Sequence, residues 1–461
     1  MSNPINLVDN QVEGYRVSGE STVRDIIQIA NIGKLHNAPN LLVFPQSFSE
    51  RQDGIEDLSI LTTKNHVLGN DGQCCSIDVG TGNLMGFVGV NDTSISIHSR
   101  FTHRRSNNTI SEGKDYFLYY MLQKVFAINV FSLEHTSDKD DKILDFLLFL
   151  FPNMLNKALS QGLYKEYRTQ HHDDSHIRGV IDINSVIRRD IPFRGGVSYS
   201  NRQHSYDNSM TQLIRHTIEF IMHHPIANSI LRNNTQTMES VSQIIQATPT
   251  YNSRDRYKVL NENLKPKVHP YYLRYRDLQK LCISILRHDS LKYGKEKDKV
   301  YGVLFDGAWL WEEYLYTLLK KQKFIHPRNK ESKGGIRMFA SPNDEEYFDN
   351  NSRRMYPDFY KKDYILDAKY KHLSGKVGRE DLYQVISYMY CMDAHYGGYI
   401  YPDEGHNKTA NYKLAGSAGG LLKVIPFTIP QTAKEWDDFR RDISKSEKFL
   451  ETPWNQPQQI S

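Results

Sequence analysis

At 461 residues, with 39% hydrophobic and 24% charged residues and a mean hydropathy of −0.60, the chain has the composition of a folded globular protein with room for two or three domains. That composition excludes wholesale disorder and a bundle of membrane spans, and a net charge of +4 is too small at this length to mark a nucleic-acid binder by itself. Cys74, Cys75, Cys282 and Cys391 lack zinc-ligand or disulfide-framework spacing, and the start MSNPINLVDNQ lacks the basic and apolar parts of a secretory signal, so a cytoplasmic protein with reduced thiols is expected.

Residues 1–110 read as a β-rich module, in which LMGFVGVNDTSISIH (84–98) sets two strand-like runs about a Gly-Val-Asn-Asp turn. Residues 111–295 read as mainly helical. YFLYYMLQKVFAINVF and KILDFLLFLFPNMLNKAL carry apolar residues at helical spacing, the second with Pro152 as an interruption. Its apolar run, 143–151, is far shorter than the roughly 20 residues of a bilayer span and reads as a buried helix. An extended passage, HIRGVIDI (176–183), precedes a helix over 210–223, a polar, Asn- and Thr-rich stretch near 232–252, and a helix over 272–288. The polar segment HDSLKYGKEKDK reads as a linker and places a domain boundary near 295.

Residues 296–450 read as an α/β domain. Their order is a helix (306–321), a long polar stretch over 320–355, a turn at Tyr356-Pro357-Asp358, a strand (364–370), a helix (379–395) and a strand (398–401). Residues 451–461 read as a flexible tail. The fold class is therefore α+β and multidomain: a β-rich N-terminal module, a helical middle region and a C-terminal α/β domain.

The strand YILDAKYK puts Asp367 and Lys369 two residues apart, hence on one face, with Leu366 and Ala368 on the other. Asp358 lies nine positions before Asp367, and a hairpin-like return through Lys361, Lys362 and Asp363 brings the two acids together. Converging carboxylates suit Mg²⁺, with Mn²⁺ as a substitute, because Mg²⁺ takes one or two carboxylates plus waters and phosphate oxygens. Beside them Lys369 can orient a water or stabilise developing charge, which is the chemistry of phosphodiester hydrolysis. Glu312 borders the apolar stripe Trp311, Leu315, Leu318 of the 306–321 helix and is the candidate third acid and metal ligand, with Glu313 its competitor. Gln384 and Tyr388, four apart on the next helix, share a face from which they can steady the lysine or contact a DNA phosphate.

An isolated Asp-x-Lys is more often a surface ion pair, so the whole set carries the reading. His171, His172, Asp173, Asp174 and His176 are metal-ligand types, but they fall in a polar loop and read as solvated. Trp309, Trp311, Tyr314 and Tyr316 read as core rather than as a base-stacking platform. Basic residues between Lys320 and Arg354 scatter in a way that a charged surface and a phosphate track explain equally well. The sequence holds no G-x-x-x-x-G-K-[ST] phosphate loop.

A Pro-Asp, an apolar strand ending in Asp-Ala-Lys, an upstream helical Glu and a downstream Gln-x-x-x-Tyr together resemble the PD-(D/E)XK restriction-endonuclease-like fold. The passages GFVGVNDTSISIHSRF, DYFLYYMLQKVF, HIRGVIDINSVIRR, RQHSYDNSMTQLIRHTI, LWEEYLYTLL, YPDFY, ILDAKYK, DLYQVISYMY and GGYIYP narrow the resemblance. They resemble McrC, the family of nuclease subunits of McrBC-type, modification-dependent (5-methylcytosine) restriction systems. The resemblance implies Asp358, Asp367 and Lys369 as nuclease residues with Glu312 as the helix acid, and double-stranded, modified DNA as substrate. It also implies a McrB-like AAA+ GTPase hexamer as partner, bound through residues 1–110, with GTP handled by that partner. A non-cleaving regulatory subunit and a stand-alone repair nuclease of the same superfamily are the alternatives.

Overall fold

The computed structural model describes the chain except residues 1–4, 13, 32–39, 46–59, 69–73, 92, 103–114, 127–138, 190–194, 225–229, 233, 266–268, 293–299, 328–334, 339–353, 374–376, 417–418, 434 and 452–461. It is a mixed α and β protein that divides into two units, one made of Met1–Val130 with Gly294–Ser461 and the other of Phe131–Tyr293. Among the described residues no helix is long and apolar enough to cross a membrane.

The chain opens with β1 (Ile5–Val8), β2 (Tyr15–Ser18), α1 (Glu20–Ala30), β3 (Asn40–Phe44), β4 (Leu61–Leu68), β5 (Cys74–Thr81), β6 (Leu84–Val90), β7 (Thr93–His98) and α2 (Tyr116–Phe126). The pair β6–β7 is the hairpin expected over 84–98, turning at Asn91 with a left-handed φ of 49°. Strands β2, β5 and β4 form a three-stranded antiparallel sheet. Helix α1 buries Val23, Ile26 and Ile29 in a core shared with Ile77, Val79, Val88 and Ile95. Its Asp25 accepts from Asn91 Nδ2 at 2.8 Å and Thr93 Oγ1 at 2.7 Å, which satisfies the carboxylate under the hairpin.

The second unit holds α3 (Lys139–Leu159), β8 (Glu166–Asp174), β9 (Val180–Ile181), α4 (Ile183–Arg189), β10 (Val197–Ser205), α5 (Ser209–Met222), α6 (Thr235–Ala247), α7 (Arg256–Glu262) and α8 (Leu273–Lys292). Helix α3 buries Leu147–Phe151 and runs through Pro152 instead of being interrupted there. His171, His172, Asp173 and Asp174 do not sit in a loop: they lie on β8, which pairs antiparallel with β10 along nine residues. Of the 176–183 passage only Val180 and Ile181 are strand, and Ile183 already starts α4. Within the polar 232–252 stretch, Asn234 caps α6 by accepting from Thr237 N–H at 2.7 Å.

Back in the first unit, β11 (Tyr301–Asp306) leads into α9 (Gly307–Leu319), followed by β12 (Ile336–Arg337), β13 (Arg354–Met355), β14 (Phe359–Lys361), β15 (Tyr364–Ala368), α10 (Arg379–Cys391), β16 (Tyr396–Asp403), β17 (Ala410–Lys413), β18 (Leu421–Thr428) and α11 (Trp436–Glu451). Strand β11 does not join the C-terminal sheet. It completes an N-terminal one in the order β1-β7-β6-β11-β3, antiparallel to β6 and parallel to β3. The second unit ends at Tyr293, beside the division expected near 295, but it begins at Phe131 rather than near 110, and the ladder on both sides of β11 ties the first 130 residues to the C-terminal part. The expected tail, 451–461, lies outside the described residues except for Glu451, the last residue of α11.

The C-terminal sheet has the order β14-β15-β16-β18-β17, with a parallel centre (β15, β16, β18) and antiparallel edges. Helix α10 crosses from β15 to β16 and buries Val385 and Met389 against Ile365, Tyr399, Leu422 and Val424. Helix α9 covers the other face, where Trp311 and Tyr314 meet Phe427 at 5.5 and 5.8 Å between ring centroids. Of the four aromatics of α9 expected in the core, Trp311 and Tyr314 are fully buried and Trp309 is 7% exposed, while Tyr316 is half-buried.

Candidate active site

Two residues, Lys362 and Asp363, turn β14 into β15, and Asp363 takes the left-handed φ of 69° that closes the turn. The ladder pairs Phe359 with Leu366, Tyr360 with Ile365 and Lys361 with Tyr364. One step beyond it, Asp358 stands opposite Asp367, and its Oδ2 accepts the Ala368 N–H at 2.7 Å. The carbonyl of Asp358 is fixed as well, by His326 Nδ1 at 2.7 Å, while His326 Nε2 lies 3.3 Å from Glu313 Oε1.

Asp367 points to the face covered by α10 and is 2% exposed. Lys369 Nζ lies 2.7 Å from its Oδ2, so the buried carboxylate is ion-paired with the ammonium. Burial raises the Asp367 carboxyl above the ordinary carboxylate range more than the Lys369 ammonium lowers it. For Lys369 the balance is reversed. Burial pulls its ammonium down, but the carboxylates of Asp367, Asp381 and Asp358 outweigh burial and hold it above the usual lysine value. The ammonium also donates to Gln384 Oε1 at 3.2 Å, and Gln384 Nε2 donates to Tyr388 OH at 2.9 Å. Gln384 and Tyr388 therefore share the face expected of them, with Gln384 holding the lysine and Tyr388 holding Gln384.

Two partners escaped the sequence reading. Asp381 lies 3.3 Å from Lys369 Nζ and 2.5 Å from Lys371 Nζ, so it shares the charge of both lysines. It belongs to the same helical stripe as Gln384 and Tyr388, three and seven residues on, and that spacing was a usable signal. His326 stands 32 residues from Asp358 in sequence and left no local signal.

Glu312 is buried on α9, on the opposite side of the sheet from Asp367. Among the described residues no three His, Cys, Asp or Glu side chains gather as a metal-holding group. The arrangement thus gathers two aspartates and a lysine, without the third acid expected from Glu312. The same holds for the histidine-rich 171–176 segment, which forms no such group on β8.

A family model described as McrBC 5-methylcytosine restriction system component matches residues 79–402, well over half of the chain. The chain belongs to the McrBC family. The match takes in the β6–β7 hairpin, the whole second unit and the elements that carry Asp358, Asp367, Lys369, Gln384 and Tyr388. No curated protein matches the chain in sequence. Among solved structures, the chain is similar to one from a refined half-complex of a tetradecameric assembly of Thermococcus gammatolerans McrB AAA+ hexamers with bound McrC. Identity there is 14% and the TM-score 0.46, over 96% of this chain and 100% of that one. A chain in the cryo-EM structure of the Thermococcus gammatolerans McrBC complex is similar at 11% identity and a TM-score of 0.31, over 70% of this chain and 88% of that one.

Proposed function

We propose that this McrBC family member is the McrC-type subunit that cuts DNA, a PD-(D/E)XK endonuclease hydrolysing phosphodiesters with Mg²⁺ at Asp358, Asp367 and Lys369. The observation that carries the reading is the hairpin register: it faces one aspartate with another and sets a lysine against the second. The donors fit the ion. They are carboxylate oxygens, the kind Mg²⁺ takes, and Asp367 is a buried carboxylate whose charge a divalent cation would sustain against burial. When bound, Mg²⁺ supplies positive charge that offsets the scissile phosphate and makes a water more acidic. Asp358, fixed by the Ala368 N–H, and Asp367 would hold it. Lys369, steadied by Gln384, keeps a positive charge beside the phosphate as a water oxygen bonds to phosphorus, the P–O bond to the leaving oxygen breaks and the proton lost by that water is returned through solvent to the leaving oxygen.

Family membership supports the rest of the proposal: double-stranded, modified DNA as substrate, and a McrB-like AAA+ GTPase as partner, like the McrB hexamers that hold McrC in the Thermococcus gammatolerans assembly. With no phosphate loop in this sequence, GTP belongs to that partner.

The test is Asp358→Ala in the full chain with its GTPase partner on 5-methylcytosine DNA. Cleavage should fall by on the order of 10²–10³ or more, while GTPase stimulation is unchanged. Cleavage at the wild-type rate would leave the chain as a regulatory subunit only.

A further inference from the structure

Tyr370 follows Lys369 directly, and its side chain enters the N-terminal sheet system. Its hydroxyl lies 2.8 Å from Ser99 Oγ and donates to Met85 Sδ at 3.2 Å. Ser99 Oγ accepts the Phe101 N–H at 3.2 Å, which directs the serine proton to the tyrosine oxygen. The Arg100 guanidinium carbon lies 4.9 Å from the ring centroid, and an Arg100 amino group donates to the Tyr370 carbonyl at 3.4 Å. Arg100 is itself held by two bonds to Asp9 Oδ2, by its own N–H on Asp9 Oδ1, and by Asn83 Oδ1 at 2.7 Å. Space is tight: a Cβ at Gly307 would lie 2.7 Å from the Tyr370 ring. Ser99, Asp9, Arg100 and Tyr370 are all buried.

A buried Arg–Asp pair is a weak device for stability, since desolvation offsets most of its attraction. This one fixes a single ring position. On its other side Lys369 is pinned through its own N–H to the Ile400 carbonyl at 3.0 Å. The lysine backbone is thus anchored from both directions, once by the C-terminal sheet and once by the N-terminal residues around Tyr370. We propose that Arg100, oriented by Asp9 and acting with Ser99 through Tyr370, is a positioning residue for Lys369, so that the nuclease site is complete only when the N-terminal sheet is in place. This inference rests on the nuclease reading above. A displacement of about 1 Å at a reacting group can lower a rate on the order of 100-fold, so the clamp has leverage on chemistry without touching DNA.

The experiment measures kcat and KM for 5-methylcytosine DNA with the full chain and its GTPase partner, for Tyr370→Phe, Ser99→Ala, Arg100→Met and Arg100→Lys. Asp25→Asn is the control, a buried N-terminal carboxylate bonded to Asn91 and Thr93 and remote from Tyr370. Arg100→Met should lower kcat about tenfold or more and Tyr370→Phe several-fold, with KM within about twofold of wild type. Arg100→Lys should restore part of kcat by returning the cation without the fork. Asp25→Asn should leave kcat unchanged. If Arg100→Met does not fold, Tyr370→Phe and Ser99→Ala decide. Wild-type kcat in those two variants, or an equal loss in Asp25→Asn, overturns the positioning role while Asp358→Ala remains inactive. Cleavage by Asp358→Ala instead overturns the nuclease reading, and the positioning role falls with it.

Discussion

Asp367 carries a carboxylate that burial raises and that the ammonium of Lys369, with a smaller contribution from Lys371, lowers. Replacing Lys369 with Met removes the main group that lowers the Asp367 carboxyl, so a larger share of Asp367 should be protonated near neutral pH. We expect cleavage to fall by on the order of 10²–10³ and the remaining activity to shift to higher pH. A pH–rate profile checks this, and an unshifted profile would contradict it. Elsewhere Asp115 accepts from the N–H groups of Ser99 and Leu118, yet burial pushes its carboxyl up to about 7. Folding therefore favours its protonated form. The stability it contributes is complete below about 4 and is lost as pH rises to about 7. Nearby His98, pushed down to about 4 by burial, is neutral over that window in wild type and variant alike. Asp115→Asn should gain on wild type as pH rises, by at most about 1.4 kcal/mol per pH unit, and denaturant melts at several pH values that stay parallel would refute this. Residues at this scale were legible in the sequence where a local period placed them. Asp367 and Lys369 followed from a two-residue strand period, Asp358 from a hairpin, and Gln384 and Tyr388 from a helical turn. Ser99 and Arg100 meet Tyr370 across some 270 residues of chain, and no local pattern reports such a contact.

At the scale of elements, polar surfaces hid what apolar periods reveal elsewhere. Strand β8, EYRTQHHDD, carries polar side chains on both faces, so no alternation marks it. Helix α6 buries Thr237, Ser240, Val241 and Ile244, a proper helical stripe diluted by two hydroxyl residues. By contrast the 306–321 helix was plain, and Asp306 caps it by accepting from Trp309 N–H at 2.6 Å. Capping also yields a prediction for α5. Asn208 is fully buried, accepts from Met210 and Thr211 N–H, and donates to the carbonyls of Tyr164, Ser205 and Tyr206. Asn208→Ala loses the cap and leaves buried groups unpaired, so it should destabilise the second unit by roughly 2–4 kcal/mol. Asn208→Ser retains a neutral cap acceptor and should lose less. Equal denaturation midpoints for the two variants would contradict that order.

For the whole molecule, β11 decides how the chain divides. It lies 210 residues beyond the end of β6 in the sequence, yet it pairs with β6 and β3 and joins β3 to the rest of the N-terminal sheet. A sequence read by segments cannot place such a strand, because only the ladder shows which sheet takes it. A fragment of residues 1–130 should therefore give no cooperative melt alone, with β3 left unpaired and one edge of β6 open, and co-expression with 294–461 should restore one. A stable, cooperative 1–130 fragment would contradict the shared unit. Cleavage by this chain requires that Asp358 and Asp367 hold a divalent ion between them. Mn²⁺ titrated into the full chain and followed by electron paramagnetic resonance measures this directly. A saturable site should be present in wild type, absent in both Asp358→Ala and Asp367→Ala, and retained in Glu312→Gln; its persistence in both aspartate variants would contradict the account.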